Sequence, residues 1–345
     1  MNSNSKVLCN CVYVKTILMC VVIIGHACAF WSGNWFIVAE PNIQSVGIKV
    51  FYSWVGAFHV YTFALVSGYL FELKVLGGGY KKYGLFIKNK AKRLLIPYLF
   101  SMIIWVAPVS EYFFKWDTLY LVKKYILCIQ PSQLWFLWML FGAFAIVWPL
   151  RDVMIQKPIM GYVISLLCYV VGFIGSKIGP NIFCIWTAFQ FIPFFFIGMR
   201  IRSKEESGEK LITETIPFYI WIALDLIVFF ITEFAYGRDG IIWKSVTVLN
   251  FLLHIIGAIM AWTTLQFIAN HMHWQENNIF MKLAANSMPM YLFHQQIIYF
   301  TIVWLNGKVN PWIHAGINFI VALAGSFLIS SVLMKWKVTR FLIGE

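Results

Sequence analysis

Residues 12–31 read VYVKTILMCVVIIGHACAFW. An apolar run of this length crosses a bilayer as a helix. It carries one cation near its start and one imidazole deep inside. From Lys15 to His26 is eleven residue steps. At about 100° each these come to about 1100°, roughly 20° from whole turns, so both side chains share a helix face. The same steps carry His26 ~16 Å along the axis, about half of a hydrocarbon core. A titratable group at that depth is costly unless it faces protein or a wet cavity, and it is read as functional by default. The plainer alternatives are a packing histidine bonded to a neighbouring helix and, for Lys15, an interfacial anchor that snorkels to the inner surface. Ala27-Cys28-Ala29 resembles a signal-peptidase site, but the run is long enough to span and many spans follow, so a retained first helix is expected.

Composition sets the class. The 345 residues are 61% hydrophobic and only 12% charged, with a mean hydropathy of +0.75. That is too apolar for a soluble domain and fits a polytopic, all-α membrane bundle. No hydrophilic stretch is long enough for a second soluble domain, so one membrane domain over 1–345 is expected. In a soluble protein a net charge of +13 would suggest nucleic acid. Here it is the charge of cytoplasmic loops, and no nucleic-acid partner is expected. The seven cysteines have no metal-ligand spacing, so no metal is expected and small apolar filler is their reading.

About ten spans are predicted, near 12–31, 49–73, 97–114, 133–150, 158–176, 182–200, 213–235, 241–269, 284–305 and 311–334. An even number puts both termini on one side. Placing Met1 in the cytoplasm puts 19 of the 27 Lys and Arg inside or at the inner boundary, so cytoplasmic termini are predicted. The outer segment 115–131, with Lys115, Lys123 and Lys124, is the exception and reads as a short interfacial helix. Trp31, Trp35, Trp54, Trp116, Trp135, Trp243 and Trp312 fall near outer span ends, as interface anchors do. There is no fixed-period repeat and no matching pair of broken helices, which disfavours a repeat-built transporter.

Several stretches carry chemistry. In FHVYTFALVSGYLFE (58–72), His59 and Thr62 share a face, and Gly68 lets a helix or a ligand approach the backbone. KKYGLFIKNKAKRLLIPY (81–98) is basic and ends at the proline expected to open the third span. Lys90 and Arg93, three apart, would share a helix face. They read either as part of a collar on anionic lipid or as a phosphate clamp. Asp225 lies mid-span, where a carboxylate needs a His, Lys or backbone donor. Asn250 and His254 are four apart, and Arg238-Asp239 reads as a solvated surface pair.

In order, these blocks resemble the acyltransferase-3 family of integral membrane acyltransferases. They are Lys15 and His26; FHVYTFALVSGYLF (58–71); KAKRLLIPYL (90–99); QLWFL (133–137); PFFFIG (193–198); and NSMPMYLFH (286–294). The resemblance covers nearly the whole chain. It implies a ten-helix protein with cytoplasmic termini that moves acyl groups, usually acetyl from acetyl-CoA, onto sugars of surface glycans or small molecules. It implies that His26 is the essential histidine and Lys15 its basic companion. Lys90 and Arg93 match a basic pair whose first member is often Arg, and Ser67, Gly68 and Tyr69 match a Ser-Gly-aromatic motif; these five are the expected donor-binding residues. His59, Asp225 and His294 are expected as supporting polar residues. Some members carry an extracytoplasmic hydrolase-like domain; none is expected here.

The expected reaction is O-acetyl transfer from acetyl-CoA to a sugar hydroxyl, free or lipid-linked, at a bacterial inner membrane, with no permanently bound cofactor. Neutral His26 would be the general base, or it would carry the acetyl group itself. Besides acetyl-CoA and a glycan acceptor, membrane lipid is an expected partner, and the acceptor is acylated either directly or with the help of a separate protein. The competing class is a polysaccharide-precursor flippase or proton-coupled carrier, with His26, His59, Asp225 and His294 as a proton path.

Overall fold

A computed structural model describes residues 3–33, 35–209, 211–235, 241–272 and 274–345. Every regular element among them is helical. Ten have spanning length: α1 (Ser3–Cys28), α2 (Val46–Leu76), α3 (Tyr83–Phe114), α4 (Trp135–Gln156), α5 (Pro158–Ile178), α6 (Ile185–Glu206), α7 (Phe218–Ala235), α8 (Ile241–His271), α9 (Ser287–Leu305) and α10 (Pro311–Leu333). Among the described residues nine are also apolar enough to cross a membrane; α9 is the exception, because His294-Gln295-Gln296 interrupts its apolar run. The chain is a multi-pass helical membrane protein. Helices suit this setting because each satisfies its own backbone bonds away from water. Arg238-Asp239 lies outside the described residues.

The ten helices follow the ten predicted stretches; α1 begins earlier than predicted, at Ser3, and the largest difference of extent is at α3. α3 starts at Tyr83 and runs through Pro97. The basic block is therefore the first half of the third helix. Proline lacks the N–H that would bond the carbonyl four residues back, here that of Arg93. The helix continues through a π-helical turn at Met102–Val106. Beyond α3, the segment 115–131 carries the expected short helix, Thr118–Leu121. The Asp117 side chain caps it by accepting from the Tyr120 N–H at 2.9 Å.

The chain divides into two compact units. The first comprises residues up to Val22, Val50–Gly77 and Phe194–Ala284; the second comprises Ile23–Lys49, Gly78–Pro193 and Ala285–Glu345. In the first, α7 lies along α8, and α2 crosses α6 with backbones in contact. A Cβ on Gly68 would lie 1.9 Å from the Phe195 carbonyl oxygen, and one on Gly198 would lie 1.9 Å from that of Leu65. Two glycines facing each other in this way allow the close crossing. In the second, α9 packs along α10 and touches α3. Pro289, Met290, Leu292–Gln296, Ile298 and Tyr299 are all buried, so α9 is the inner helix of that unit.

Candidate active site

The second unit brings two histidines together. His26, two residues before the end of α1, and His294, midway along α9, meet with Nδ1 of the first 2.9 Å from Nε2 of the second. His294 is fully buried and His26 half-buried. The other nitrogen of His294, Nδ1, is 2.9 Å from the Tyr291 carbonyl oxygen. A carbonyl only accepts, so His294 Nδ1 carries a proton and donates it. In neutral His294 this makes Nε2 an acceptor, and the His26 contact then requires His26 Nδ1–H as donor. The lone pair of neutral His26 is thereby assigned to Nε2. Trp35 lies beside the His26 ring, with centroids 5.9 Å apart.

A polar frame holds both rings. Asn318 of α10 donates to the Ala27 carbonyl at 3.1 Å, fixing the last turn of α1 beside His26. Its own Oδ1 accepts from Thr301 of α9 at 2.6 Å. On the other side of α9, Gln133 and Gln296 exchange amide bonds at 2.8 and 3.1 Å, and Gln133 also donates to the Leu292 carbonyl at 3.0 Å. The Tyr291 hydroxyl returns a bond to the Gln133 carbonyl, and Trp105 of α3 donates to the Phe293 carbonyl at 3.0 Å. Gln133, Tyr291, Gln296, Thr301 and Asn318 therefore set where the two imidazoles sit. In the sequence, Gln133 and Tyr291 stand inside motif blocks without a role, and the other three carry no motif at all. A buried polar side chain in an apolar helix is their only local signal.

The remaining expected residues divide between the units. Lys15 lies in the first, half-buried on α1. The Ser67 hydroxyl donates to the Phe63 carbonyl at 2.8 Å, Gly68 is covered by the α6 backbone, and the Tyr69 hydroxyl donates to Glu205. His59 Nδ1 donates to Val55 O at 2.6 Å, along its own helix. Asp225 is fully buried, and its Oδ2 accepts from the Trp54 indole N–H at 2.8 Å. An indole thus does the work for which the sequence suggested His, Lys or backbone. His254 stacks on Tyr61 at 4.0 Å, with Nδ1 donating to the Ala57 carbonyl at 2.9 Å.

In the second unit Lys90 and Arg93 lead to different surroundings. The Lys90 ammonium sits over Phe144 at 3.6 Å, with Tyr80 at 5.1 Å and Phe86 at 5.6 Å, an aromatic cage for a cation. Arg93 instead lines a cavity of about 360 Å³ with Asn89, Lys92, Phe341, Gly344 and Glu345. The nearby Tyr80 phenol is pushed up by burial, an effect the Arg93 guanidinium opposes. The cation beside Arg93 at this cavity is therefore Lys92. The segment Lys337–Leu342 and Gly344 form its other wall. Gly344 has φ +86°, and a Cβ there would lie 2.9 Å from Pro97 Cγ and 3.0 Å from the Arg93 carbonyl that Pro97 cannot bond. Among the described residues no group of three His, Cys, Asp or Glu side chains is placed to hold a metal ion.

The sequence profile of the acyltransferase-3 family, described as an acyltransferase domain, matches residues 13–331. The chain belongs to the acyltransferase-3 family. No match is found among curated proteins or among solved structures. As a membrane acyltransferase, the protein needs a held donor and a base for the attacking group. The family match includes His26, His294, Lys92 and Arg93 and stops short of the Phe341–Glu345 wall.

Proposed function

We propose that this acyltransferase moves an acetyl group from acetyl-CoA to a sugar hydroxyl of a surface polysaccharide or its lipid-linked precursor, at a bacterial cytoplasmic membrane. The observation that carries the reading is the His26–His294 contact, backed by Tyr291. His26 Nε2 takes the proton of the sugar hydroxyl as that oxygen attacks the thioester carbonyl. The C–S bond breaks, and the leaving thiolate recovers the proton from His26. In the interval the imidazolium is steadied through Nδ1–H by His294, and the Tyr291 carbonyl fixes the His294 tautomer. His294 is then a positioning residue, one place short of the reacting atoms. Lys92 and Arg93, with Asn89, hold the phosphates of the donor by charge-assisted bonds. Lys90, in its cage, supports that wall. Lys15 offers a positive charge on the helix that carries the base. Gly68 acts through helix packing, Tyr69 ties the same crossing through Glu205 of α6, and Ser67 bonds only along its own helix.

The test is NMR of surface glycan from cells lacking the protein, complemented with wild type, His26→Ala or Lys92→Ala/Arg93→Ala at equal membrane levels. Acetyl signals should vanish in the deletion and in His26→Ala while glycan amount holds, and should weaken in the double variant. Unchanged acetylation with less surface glycan would sink the reading in favour of a flippase.

A further inference from the structure

Two of the seven cysteines do not sit where filler belongs. Cys9, Cys11, Cys20 and Cys28 lie in α1 and Cys168 in α5, where a small apolar side chain fits between helices. Cys128 and Cys184 lie in loops, the first between α3 and α4, the second at the end of the short turn Ile182–Cys184 that precedes α6. Both have a left-handed backbone, with φ +55° each. Glycine or asparagine meets that conformation most easily. The backbone therefore gives no reason for cysteine at either position, and the sulfur is what the side chain contributes.

The two loops touch at these residues. The Phe183 N–H donates to the Leu127 carbonyl at 2.9 Å, and the Cys184 thiol donates to the Cys128 carbonyl oxygen at 3.2 Å. Standard backbone lengths put a carbonyl oxygen about 2.4 Å from its own Cα, so Cys184 Sγ lies no more than about 5.6 Å from Cys128 Cα. The Cys128 thiol has weak partners, the Tyr98 hydroxyl at 3.2 Å and the Tyr125 and Ile126 carbonyls at 3.5 and 3.6 Å. Turning it towards Cys184 leaves the buried phenol satisfied, because the Tyr98 hydroxyl donates to the Tyr125 carbonyl at 2.7 Å. Each cysteine is 1% exposed, which shields a bond between them from reducing thiols. Both are thiols in this structure, the reduced form of the pair.

We propose that Cys128 and Cys184 are joined as a disulfide. The loops are separated by two crossings, α4 and α5, so they lie on one side of the membrane. With cytoplasmic termini that side is the outer one, where disulfides persist. The bond forms before the loops close over it, by exchange with a disulfide donor, protein or small molecule. One cysteine thiolate attacks a donor sulfur, and the second displaces the donor from the mixed disulfide. Both S–H bonds are lost and one S–S bond forms. The two electrons and two protons leave with the donor, now reduced to thiols. The tie joins residues 56 apart in sequence. It pins the loop that runs into Gln133 and its bonds to α9. The proposal needs no acyl chemistry, so its test is independent of the one above.

The experiment is differential thiol labelling of the full chain. Membranes from aerobically grown cells are quenched in acid, denatured and treated with N-ethylmaleimide, then reduced and treated with iodoacetamide, and the peptides are read by mass spectrometry. In wild type, Cys128 and Cys184 should carry the second label, and a peptide pair linking them should be present before reduction and absent after it. Cys9, Cys11, Cys20, Cys28 and Cys168 should carry the first label. In Cys128→Ser, Cys184 should move to the first label, and Cys128 should do so in Cys184→Ser. The first label on both residues of wild type, or a link from either to a different cysteine, overturns the pair. That reading comes from wild type and holds even where a serine variant fails to reach the membrane.

Discussion

His26 and His294 meet across 268 residues of chain, and that contact is only half legible in the sequence. The ten-residue gap between Lys15 and His26 is a local period, so their shared face can be read from spacing alone. His294 is visible as an imidazole in an apolar helix, but no local pattern encodes which partner a folded chain gives it. Trp54 is a similar case: an indole near a span end reads as an interface anchor, and only the fold brings its N–H to Asp225. The pair makes two predictions. If His26 is the base proposed above, His26→Ala should lower acyl transfer by about 10²–10⁴-fold, the usual share of a general base. His294→Ala should lower it by on the order of 10–100-fold, as loss of an orienting partner does. His294→Gln, whose carbonyl still accepts from His26 Nδ1–H, should recover part of the rate; a packing role alone gives no such recovery. The second concerns pH. A protonated His26 has no lone pair to offer, so initial rates at saturating donor should fall as pH is lowered. A rate flat from pH 5 to 8 would count against the base.

At the scale of elements, the α2–α6 crossing shows what a glycine can and cannot tell in sequence. Gly68 announces that something approaches the backbone, and a ligand and a helix make the same demand. The structure supplies the helix, with Gly198 as the reciprocal partner. Gly68→Ala or Gly198→Ala must push the helices apart, which should cost about 1–3 kcal/mol as overpacking does. Gly316, inside α10, is the contrast: a methyl group added there would meet nothing within 4 Å. Gly316→Ala should leave stability unchanged or raise it by about 0.5–1 kcal/mol, the helix penalty of glycine. Thermal unfolding in one detergent compares them directly, and equal Tm shifts would remove the crossing as the cause. The outer segment yields a prediction of different origin. Lys124 donates to the Gln130 carbonyl at 2.8 Å and lies 4.9 Å from the Trp116 ring centre. Burial pushes its ammonium down to about 8 from an ordinary 10.5. Between those values the unfolded chain keeps a proton that the folded chain gives up, so stability rises with pH across that window. Lys124→Met should therefore gain most over wild type below pH 8, with the gain fading towards pH 10.5.

For the whole molecule, α9 decides how the chain threads the membrane. Nine long helices pass on composition alone among the described residues, and α9 does not, because of His294-Gln295-Gln296. Those polar groups are spent inside the second unit: His294 on His26 and Tyr291, Gln295 on the Tyr299 hydroxyl at 2.7 Å, Gln296 on Gln133. With their hydrogen bonds met by protein, the cost of placing them at membrane depth falls. α9 therefore counts as a span, and ten crossings return the chain to the side on which it began. Hydropathy alone gives the opposite side for residues beyond α10, so parity turns on the helix that carries the second histidine. The cations Lys335, Lys337 and Arg340 follow α10 and favour the cytoplasm by the positive-inside bias. Green fluorescent protein fused after Glu345 should fluoresce, and alkaline phosphatase at the same position should be inactive. Phosphatase inserted at Lys308, between α9 and α10, should be active. An active phosphatase after Glu345 would take α9 out of the spans, put those three cations outside, and leave His294 without the membrane depth that the pairing with His26 requires.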